Sequence, residues 1–169
     1  MKRTVIITAS GFQDEELIYP WYRLQEAGFH VDMATKDKVV VYGKYGVPAR
    51  PTMATTDLNA DNYDAVIIPG GFEAPDRMRI MPEVLDFVAK MDAKGKLVAA
   101  ICHGPWVMIS ANIVRGRSMT AYWSIEADLR NAGAVYCHKE NVVVDKNFIT
   151  SPHYHQNGDF MRAVVEYLV

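Results

Sequence analysis

The sequence predicts a single α/β domain, residues 1–169, in which helices cover both faces of a mostly parallel β-sheet. Three observations favour this class. Short β-branched runs alternate with amphipathic segments along the chain. Half of the 169 residues are hydrophobic, which is enough for one sizeable core. No internal repeat, linker or low-complexity stretch interrupts the pattern.

The amino-terminal part of the chain contains three predicted strands, a helix and a small hairpin. The β-branched runs place the strands at Thr4–Thr8, His30–Ala34 and Ala65–Ile68. A helix is predicted over Glu15–Ala27 because apolar residues recur there at intervals of three and four, and Gly28 is its stop. A Gly-rich turn between Val39–Tyr42 and Val47 indicates a hairpin outside the main sheet.

The carboxyl-terminal part continues the alternation. Leu97–Ile101 is the predicted central strand, and a late hairpin pairs Val142–Val144 with Phe148–Thr150. The predicted helices are Glu83–Lys94, Pro105–Ala111, Ser124–Ala132 and Asp159–Leu168. These elements complete the α/β pattern.

The most informative residue is Cys102, which lies between the central strand and the helix that begins at Pro105. Small residues flank it at Ala100 and Gly104, the spacing of a nucleophile elbow with Cys in place of the usual Ser. A helix N-terminus and its free N–H groups favour a thiolate and an oxyanion, so we expect Cys102 to titrate below a free thiol. The alternative is an inert cysteine that packs as a small hydrophobe.

Two neighbouring features bear on the same site. Active sites of open α/β sheets lie at the carboxyl ends of strands, which favours a functional Cys102 and places the turn Pro69-Gly70-Gly71 nearby. The glycines of that turn allow close approach of the backbone to a ligand. His103 follows Cys102 directly, and adjacent residues leave a turn in different directions, so its action as a base within the same subunit cannot be assumed.

Composition excludes several classes of protein. The formal net charge of -2 offers no basic excess for nucleic acid, and no apolar run approaches the roughly 20 residues of a membrane span. Cys102 and Cys137 form no disulfide framework, and Met1-Lys2-Arg3 leads into a strand without a signal-peptide core, so we expect a cytoplasmic protein. The absence of a dinucleotide fingerprint and of a phosphate loop implies no organic cofactor.

Two further segments leave alternatives open. Glu16 is either a solvated first-turn acid beside Asp14 and Glu15 or a buried carboxyl that keeps its proton and donates to a thiolate. His153-x-His155 suggests zinc ligands, but no third ligand follows at a recognisable spacing. We therefore predict no metal site, and we interpret the loop as a helix entry capped by Asn157 or Asp159.

Four segments together identify a resemblance. They are Glu16-Leu17-Ile18-Tyr19-Pro20, Ile68-Pro69-Gly70-Gly71, Ala74-Pro75-Asp76-Arg77 and Ala100-Ile101-Cys102-His103-Gly104-Pro105. The chain resembles the ThiJ/PfpI superfamily, specifically its PfpI-type intracellular protease branch, over nearly its whole length. The resemblance implies a flavodoxin-like three-layer sandwich.

The resemblance also implies roles for individual residues. Cys102 is the nucleophile on a strained elbow, and Glu16 shares a hydrogen bond with its sulfur. Asp76 of a neighbouring subunit orients His103, so a homo-oligomer is expected, and Tyr122 lies near a pocket that includes Gly70 and Gly71. Relatives carry an arginine after Thr-Ser, whereas here Pro152 follows Thr150-Ser151, so no role of that arginine is carried over.

Three functions are compatible with these expectations. The first is a cofactor-free enzyme acting on small reactive carbonyls, of the glyoxalase III or deglycase type, which converts methylglyoxal to lactate. The second is an intracellular cysteine peptidase or amidase. The third is a redox sensor or stress chaperone that uses an oxidisable Cys102. The combined elbow, carboxyl and oxyanion layout favours the first.

Overall fold

The computed structural model describes all residues, 1–169, and its centre is a β-sheet of seven strands. The strands of the protein are β1 (Arg3–Ile7), β2 (His30–Thr35), β3 (Val41–Tyr42), β4 (Pro48–Ala49), β5 (Met53–Ala54), β6 (Ala65–Ile68), β7 (Leu97–Ile101), β8 (Ser118–Met119), β9 (Val135–Tyr136), β10 (Val143–Asp145) and β11 (Phe148–Ser151). The main sheet has the order β10-β11-β7-β6-β1-β2-β5 and is parallel except for the β10–β11 hairpin. This confirms the predicted mostly parallel sheet.

Six helices cover the sheet in the flavodoxin-like arrangement that the resemblance implies. They are α1 (Asp14–Glu26), α2 (Ala74–Met78), α3 (Pro82–Ala93), α4 (Pro105–Ser110), α5 (Glu126–Asn131) and α6 (Asn157–Leu168). Helix α1 packs against α6, whereas α4 packs against α2, α3 and α5. The buried apolar side chains form one continuous cluster of 44 residues, so the chain has one core. None of the helices is both long enough and apolar enough to span a membrane.

The register of the central strands determines where the site lies. Every residue of β6 and β7 is buried, which explains their uninterrupted apolar runs. Ile68 pairs with Ala100, and Ile101 pairs with Ser151, so the turns that follow β6, β7 and β11 meet at one edge of the sheet. These turns contain Gly70, Cys102 and His153.

Most predicted elements are confirmed with shifts of one or two residues, and four were missed. The short strands β5, β8 and β9 and the five-residue helix α2 gave no periodic signal of useful length. The helix predicted over Ser124–Ala132 begins as a 3-10 turn at Trp123–Ile125 before α5. The predicted helix cap is wrong: a 3-10 turn at Tyr154–Gln156 leads into α6, and no side chain caps that helix.

The predicted hairpin is confirmed as β3 and β4, and a buried carboxylate fixes its tip. Asp14 accepts hydrogen bonds from the N–H groups of Tyr45 (2.9 Å) and Val47 (3.0 Å). The Lys44 N–H donates to the carbonyl oxygen of Phe12 at 2.8 Å. The tip is thereby held against the start of α1.

We expect Asp14→Ala to loosen the 43–47 loop, because the two amides lose a charged acceptor. Hydrogen bonds to a charged group contribute about 1.5–3 kcal/mol each. Water partly replaces Asp14 as the acceptor of the two amides, so the expected loss in the free energy of unfolding is roughly 2 kcal/mol. Amide hydrogen exchange at Tyr45 and Val47 should quicken more than exchange in β1. Asp86→Ala, which removes an exposed carboxylate paired with Lys90, serves as control. Unchanged exchange at both amides would contradict the assignment.

Candidate active site

Cys102 lies at the turn that leaves β7, with a left-handed backbone (φ 61°). Its N–H donates to the carbonyl oxygen of Ser151 (2.9 Å), and its own carbonyl oxygen accepts from the N–H of Tyr122 (2.9 Å). A Cβ at Gly104 would overlap the carbonyl oxygen of Ile68, so only glycine fits there. The sharp turn between β7 and α4 that the sequence predicted is present.

Glu16 is fully buried and reaches this turn from the first turn of α1. Its Oε2 accepts a 2.7 Å hydrogen bond from the Gly70 N–H, and Oε1 is buried without a hydrogen-bond partner. A Cβ at Gly70 would lie 2.7 Å from both Glu16 Oε2 and the Cβ of Cys102. The structure therefore brings together Glu16, Gly70 and Cys102, and the solvated alternative for Glu16 is wrong.

Burial raises the pKa of Glu16 to about 8, while the hydrogen bonds from Gly70 and Cys102 lower it and Glu15 adds a small repulsion. The carboxyl consequently keeps its proton at neutral pH. A protonated carboxyl is a donor, so Oε1 and Oε2 are not both available as acceptors. Of the two alternatives that the sequence left open for Glu16, the structure has the buried one.

The expectation of a low pKa for Cys102 is wrong. Burial is the largest effect and raises the pKa of the thiol, and an ionised Glu16 raises it further. The N–H groups of His103 and Gly71 point toward the sulfur and lower the pKa, but they do not outweigh burial. With Glu16 protonated its repulsion is absent, and the resting pair holds a neutral acid beside a neutral thiol.

His103 meets Cys102 within the same chain. Its Nδ1 lies 3.3 Å from Cys102 Sγ, and its Nε2 lies 3.2 Å from the hydroxyl of Ser124. Burial lowers the pKa of the imidazole, and the nearby Asp128 opposes this effect. The ring also stacks on Tyr122, with centroids 5.0 Å apart. A neutral imidazole in this position can take the proton of the thiol, so the two adjacent side chains meet although neighbours ordinarily leave a turn in different directions.

Cys102 and His103 open onto a pocket of about 240 Å³. It is lined by Gln13, Lys44, Tyr45, Gly71, Phe72, Cys102, His103, Tyr122, His153 and Tyr154. Tyr122 and Gly71 line the pocket, as the resemblance implied, whereas Gly70 does not: its N–H donates to Glu16 behind the turn. The hairpin tip and the segment after β11 supply the other walls.

Several residues in or around the site were not predicted from the sequence. Ser124 and Asp14 sit among ordinary polar residues, and nothing local distinguishes their long-range contacts. The predicted hairpin was the only feature of the sequence that could have indicated a role for Lys44, because loops on a rigid scaffold often carry binding residues. His153 was weighed only as a metal ligand or a helix entry. No cluster of three or more His, Cys, Asp or Glu side chains in the structure is suited to binding a metal ion.

Asp76 is not brought to His103 within the chain. It is exposed in α2, and no hydrogen bond or ion pair joins the two side chains. Its predicted action from a neighbouring subunit stays a prediction.

Several known proteins are similar to this chain in sequence and in architecture. The model of the DJ-1/PfpI family matches residues 2–167. Deglycase PfpI of Pyrococcus furiosus is 39% identical over 166 residues, which cover 98% of this chain and 99% of that protein. YraA of Bacillus subtilis is named as a candidate cysteine protease. It is 37% identical over 153 residues, which cover 89% of this chain and 88% of that protein. The crystal structure of Drosophila melanogaster DJ-1beta superposes with a TM-score of 0.94 at 29% identity, over 99% of this chain and 90% of that chain.

The raised pKa of Glu16 predicts a pH-dependent gain in stability for Glu16→Gln. Well below pH 4.5, the acid is neutral in both the folded and the unfolded state. As the pH rises toward 8 the unfolded state releases its proton and the folded state does not, so the wild-type protein loses stability. The loss levels off above pH 8 at about 5 kcal/mol.

Urea unfolding of both proteins at pH 5 and pH 8 checks this expectation, with Glu26→Gln, an exposed change on the same helix, as control. The advantage of Glu16→Gln should grow between the two pH values. A difference that is independent of pH would show that Glu16 does not keep its proton in the folded protein.

Proposed function

The chain belongs to the DJ-1/PfpI family, and from this premise we propose that it is a cysteine-dependent enzyme acting on small reactive carbonyls, with methylglyoxal converted to lactate. One observation carries the proposal. Cys102 opens onto a pocket of about 240 Å³ with a neutral imidazole 3.3 Å from its sulfur and two backbone N–H groups directed at it. A nucleophile, a base and oxyanion donors are thus assembled at one point.

The first step is addition of the thiol to the aldehyde carbon. His103 Nδ1 takes the thiol proton, the sulfur forms a bond to carbon, and the electron pair of the carbonyl moves to its oxygen. The N–H groups of Gly71 and His103 stabilise the negative oxygen, which then takes a proton to give a hemithioacetal.

The second step moves a proton between adjacent carbons. His103 removes the proton from the carbon bonded to sulfur and a proton returns to the neighbouring carbon, so the ketone becomes an alcohol and the C–S carbon becomes a thioester. Water then cleaves the thioester and releases lactate and the thiol. Substrate and one water balance the product, and no cofactor is required.

Glu16 contributes through its proton. A carboxylate this close would repel the developing thiolate, whereas the protonated acid that burial favours can donate to it. The hydrogen bond from Gly70 fixes the carboxyl at the turn. Burial of Glu16 thus supplies a proton donor beside the sulfur, which offsets part of the cost that burial of the thiol itself adds to forming the thiolate.

The size of the pocket favours a small carbonyl over a peptide. About 240 Å³ is below the usual range of ligand pockets, roughly 300–1,000 Å³, and an extended backbone would need a longer cleft. The name of Deglycase PfpI supports chemistry on carbonyl adducts. YraA keeps cysteine peptidase as the alternative. Because the reaction needs a reduced thiol, we place the protein in the cytoplasm.

We expect purified protein treated with chelator to convert methylglyoxal to lactate without glutathione. Cys102→Ser and Cys102→Ala should abolish the reaction, because neither variant supplies a thiol. Cys137→Ser removes the other free cysteine and should retain full activity. Lactate is measured beside cleavage of casein by the same proteins. Cys102-dependent proteolysis without lactate would replace the carbonyl proposal with the peptidase, and neither activity would favour the redox sensor.

We further expect at least a dimer in which Asp76 of one chain approaches His103 of another. Asp76 is exposed and the resemblance places it at a subunit junction. Light scattering at micromolar concentration tests the oligomer, and Asp76→Asn should lower kcat severalfold while Asp86→Asn should not. A monomeric protein with full activity would remove Asp76 from the mechanism.

A further inference from the structure

A second imidazole lines the same pocket as Cys102. His153 lies in the segment between β11 and α6, and its side chain is half-buried. Its ring centroid is 3.9 Å from that of Tyr154 and 5.9 Å from that of Tyr122, on which His103 also stacks. Aromatic contacts therefore fix both imidazoles at the pocket.

A backbone hydrogen bond determines which nitrogen of His153 carries the proton. The N–H of His155 donates to Nδ1 at 3.2 Å. In a neutral imidazole the nitrogen that accepts a hydrogen bond is unprotonated, so the proton is on Nε2. His153 consequently presents an N–H donor rather than a base.

The surroundings keep this imidazole neutral. Burial and the adjacent His155 both lower the pKa of His153, and only Glu15 raises it. The Gln13 side-chain amide donates a hydrogen bond to the Glu15 carboxylate at 2.7 Å. Lys44, at the hairpin tip, lines the same pocket.

We propose that His153 donates a hydrogen bond from Nε2 to the second oxygen of a dicarbonyl substrate bound at Cys102. This inference rests on the proposed function. The N–H groups of Gly71 and His103 serve the oxygen on the carbon that the sulfur attacks. When the proton leaves that carbon, negative charge develops on the oxygen of the neighbouring carbon, which needs a donor from another wall.

His153 is suited to that second oxygen for three reasons. It faces the pocket from the segment after β11, its donor nitrogen is fixed by His155, and a neutral N–H stabilises an oxyanion without desolvating a charge. The sites are therefore divided: the turn at Cys102 holds the first oxygen and His153 holds the second.

The test measures protection of Cys102 from iodoacetamide in a Cys137→Ser background. Methylglyoxal, which has two carbonyl oxygens, and propionaldehyde, which has one, each protect the thiol by forming a reversible hemithioacetal. His153→Phe keeps an aromatic ring and removes the donor, His153→Gln keeps an N–H donor, and His138→Phe makes the same replacement at an exposed histidine outside the pocket. Lactate formation and melting temperature are recorded for every variant.

His153→Phe should weaken protection by methylglyoxal about fivefold, the equivalent of one hydrogen bond, and leave protection by propionaldehyde unchanged. The kcat for lactate should fall roughly tenfold to hundredfold, with partial recovery in His153→Gln. His138→Phe should match the wild type.

Unchanged protection by methylglyoxal in His153→Phe, or an equal loss for both aldehydes, would overturn the proposal, since a packing role would affect the two probes alike. Absence of lactate from the wild type, with His153-dependent protection intact, would overturn the proposed function alone. Absence of any protection in the wild type would overturn both.

Discussion

The hydrogen bond between the buried carboxyl of Glu16 and the N–H of Gly70 is the contact on which the site depends. It joins the start of α1 to the turn after β6 at the point where the turn after β7 also arrives. Gly70 permits this because any side chain there would collide with Glu16 and Cys102. A carboxyl without full hydrogen bonding costs free energy in such a place, and it reduces that cost by keeping its proton. At neutral pH the protein is therefore less stable than it would be with an uncharged side chain at this position, and it gains a proton donor beside the sulfur.

The backbone at Cys102 shows the same balance between strain and rigidity. A left-handed conformation costs an L-residue roughly 1–2 kcal/mol. Hydrogen bonds to Ser151 and from Tyr122 hold both peptide groups of the turn, and the strand before it is fully buried. The strain persists because the surrounding sheet determines the path of the chain. It also brings adjacent side chains together, so that the Cys102 sulfur and the His103 imidazole meet despite the geometry expected of neighbours.

The sequence predicted those parts of the fold and site that have a local origin. The long strands and helices follow from periodicity, and Cys102 follows from its position after a buried strand. Ser124, Asp14 and His153 act through contacts with residues distant in the chain, so neither spacing nor composition identified them. The pKa of Cys102 was mispredicted because a helix N-terminus is visible in sequence, whereas the depth of burial is a property of the assembled core. The buried state of Glu16 required the resemblance, since first-turn acids are ordinarily solvated.

Four consecutive residues connect the walls of the pocket. The Gln13 N–H donates to the carbonyl oxygen of Gly70, Asp14 holds the hairpin tip, the Glu15 carbonyl oxygen accepts from the Asn157 amide at the start of α6, and Glu16 reaches the sulfur. Each contact joins a different segment to the first turn of α1. The first turn of α1 therefore links the turn at Cys102 to the hairpin tip and to the start of α6, and the carbonyl oxygen of Ser151 joins the end of β11 to the turn at Cys102 directly.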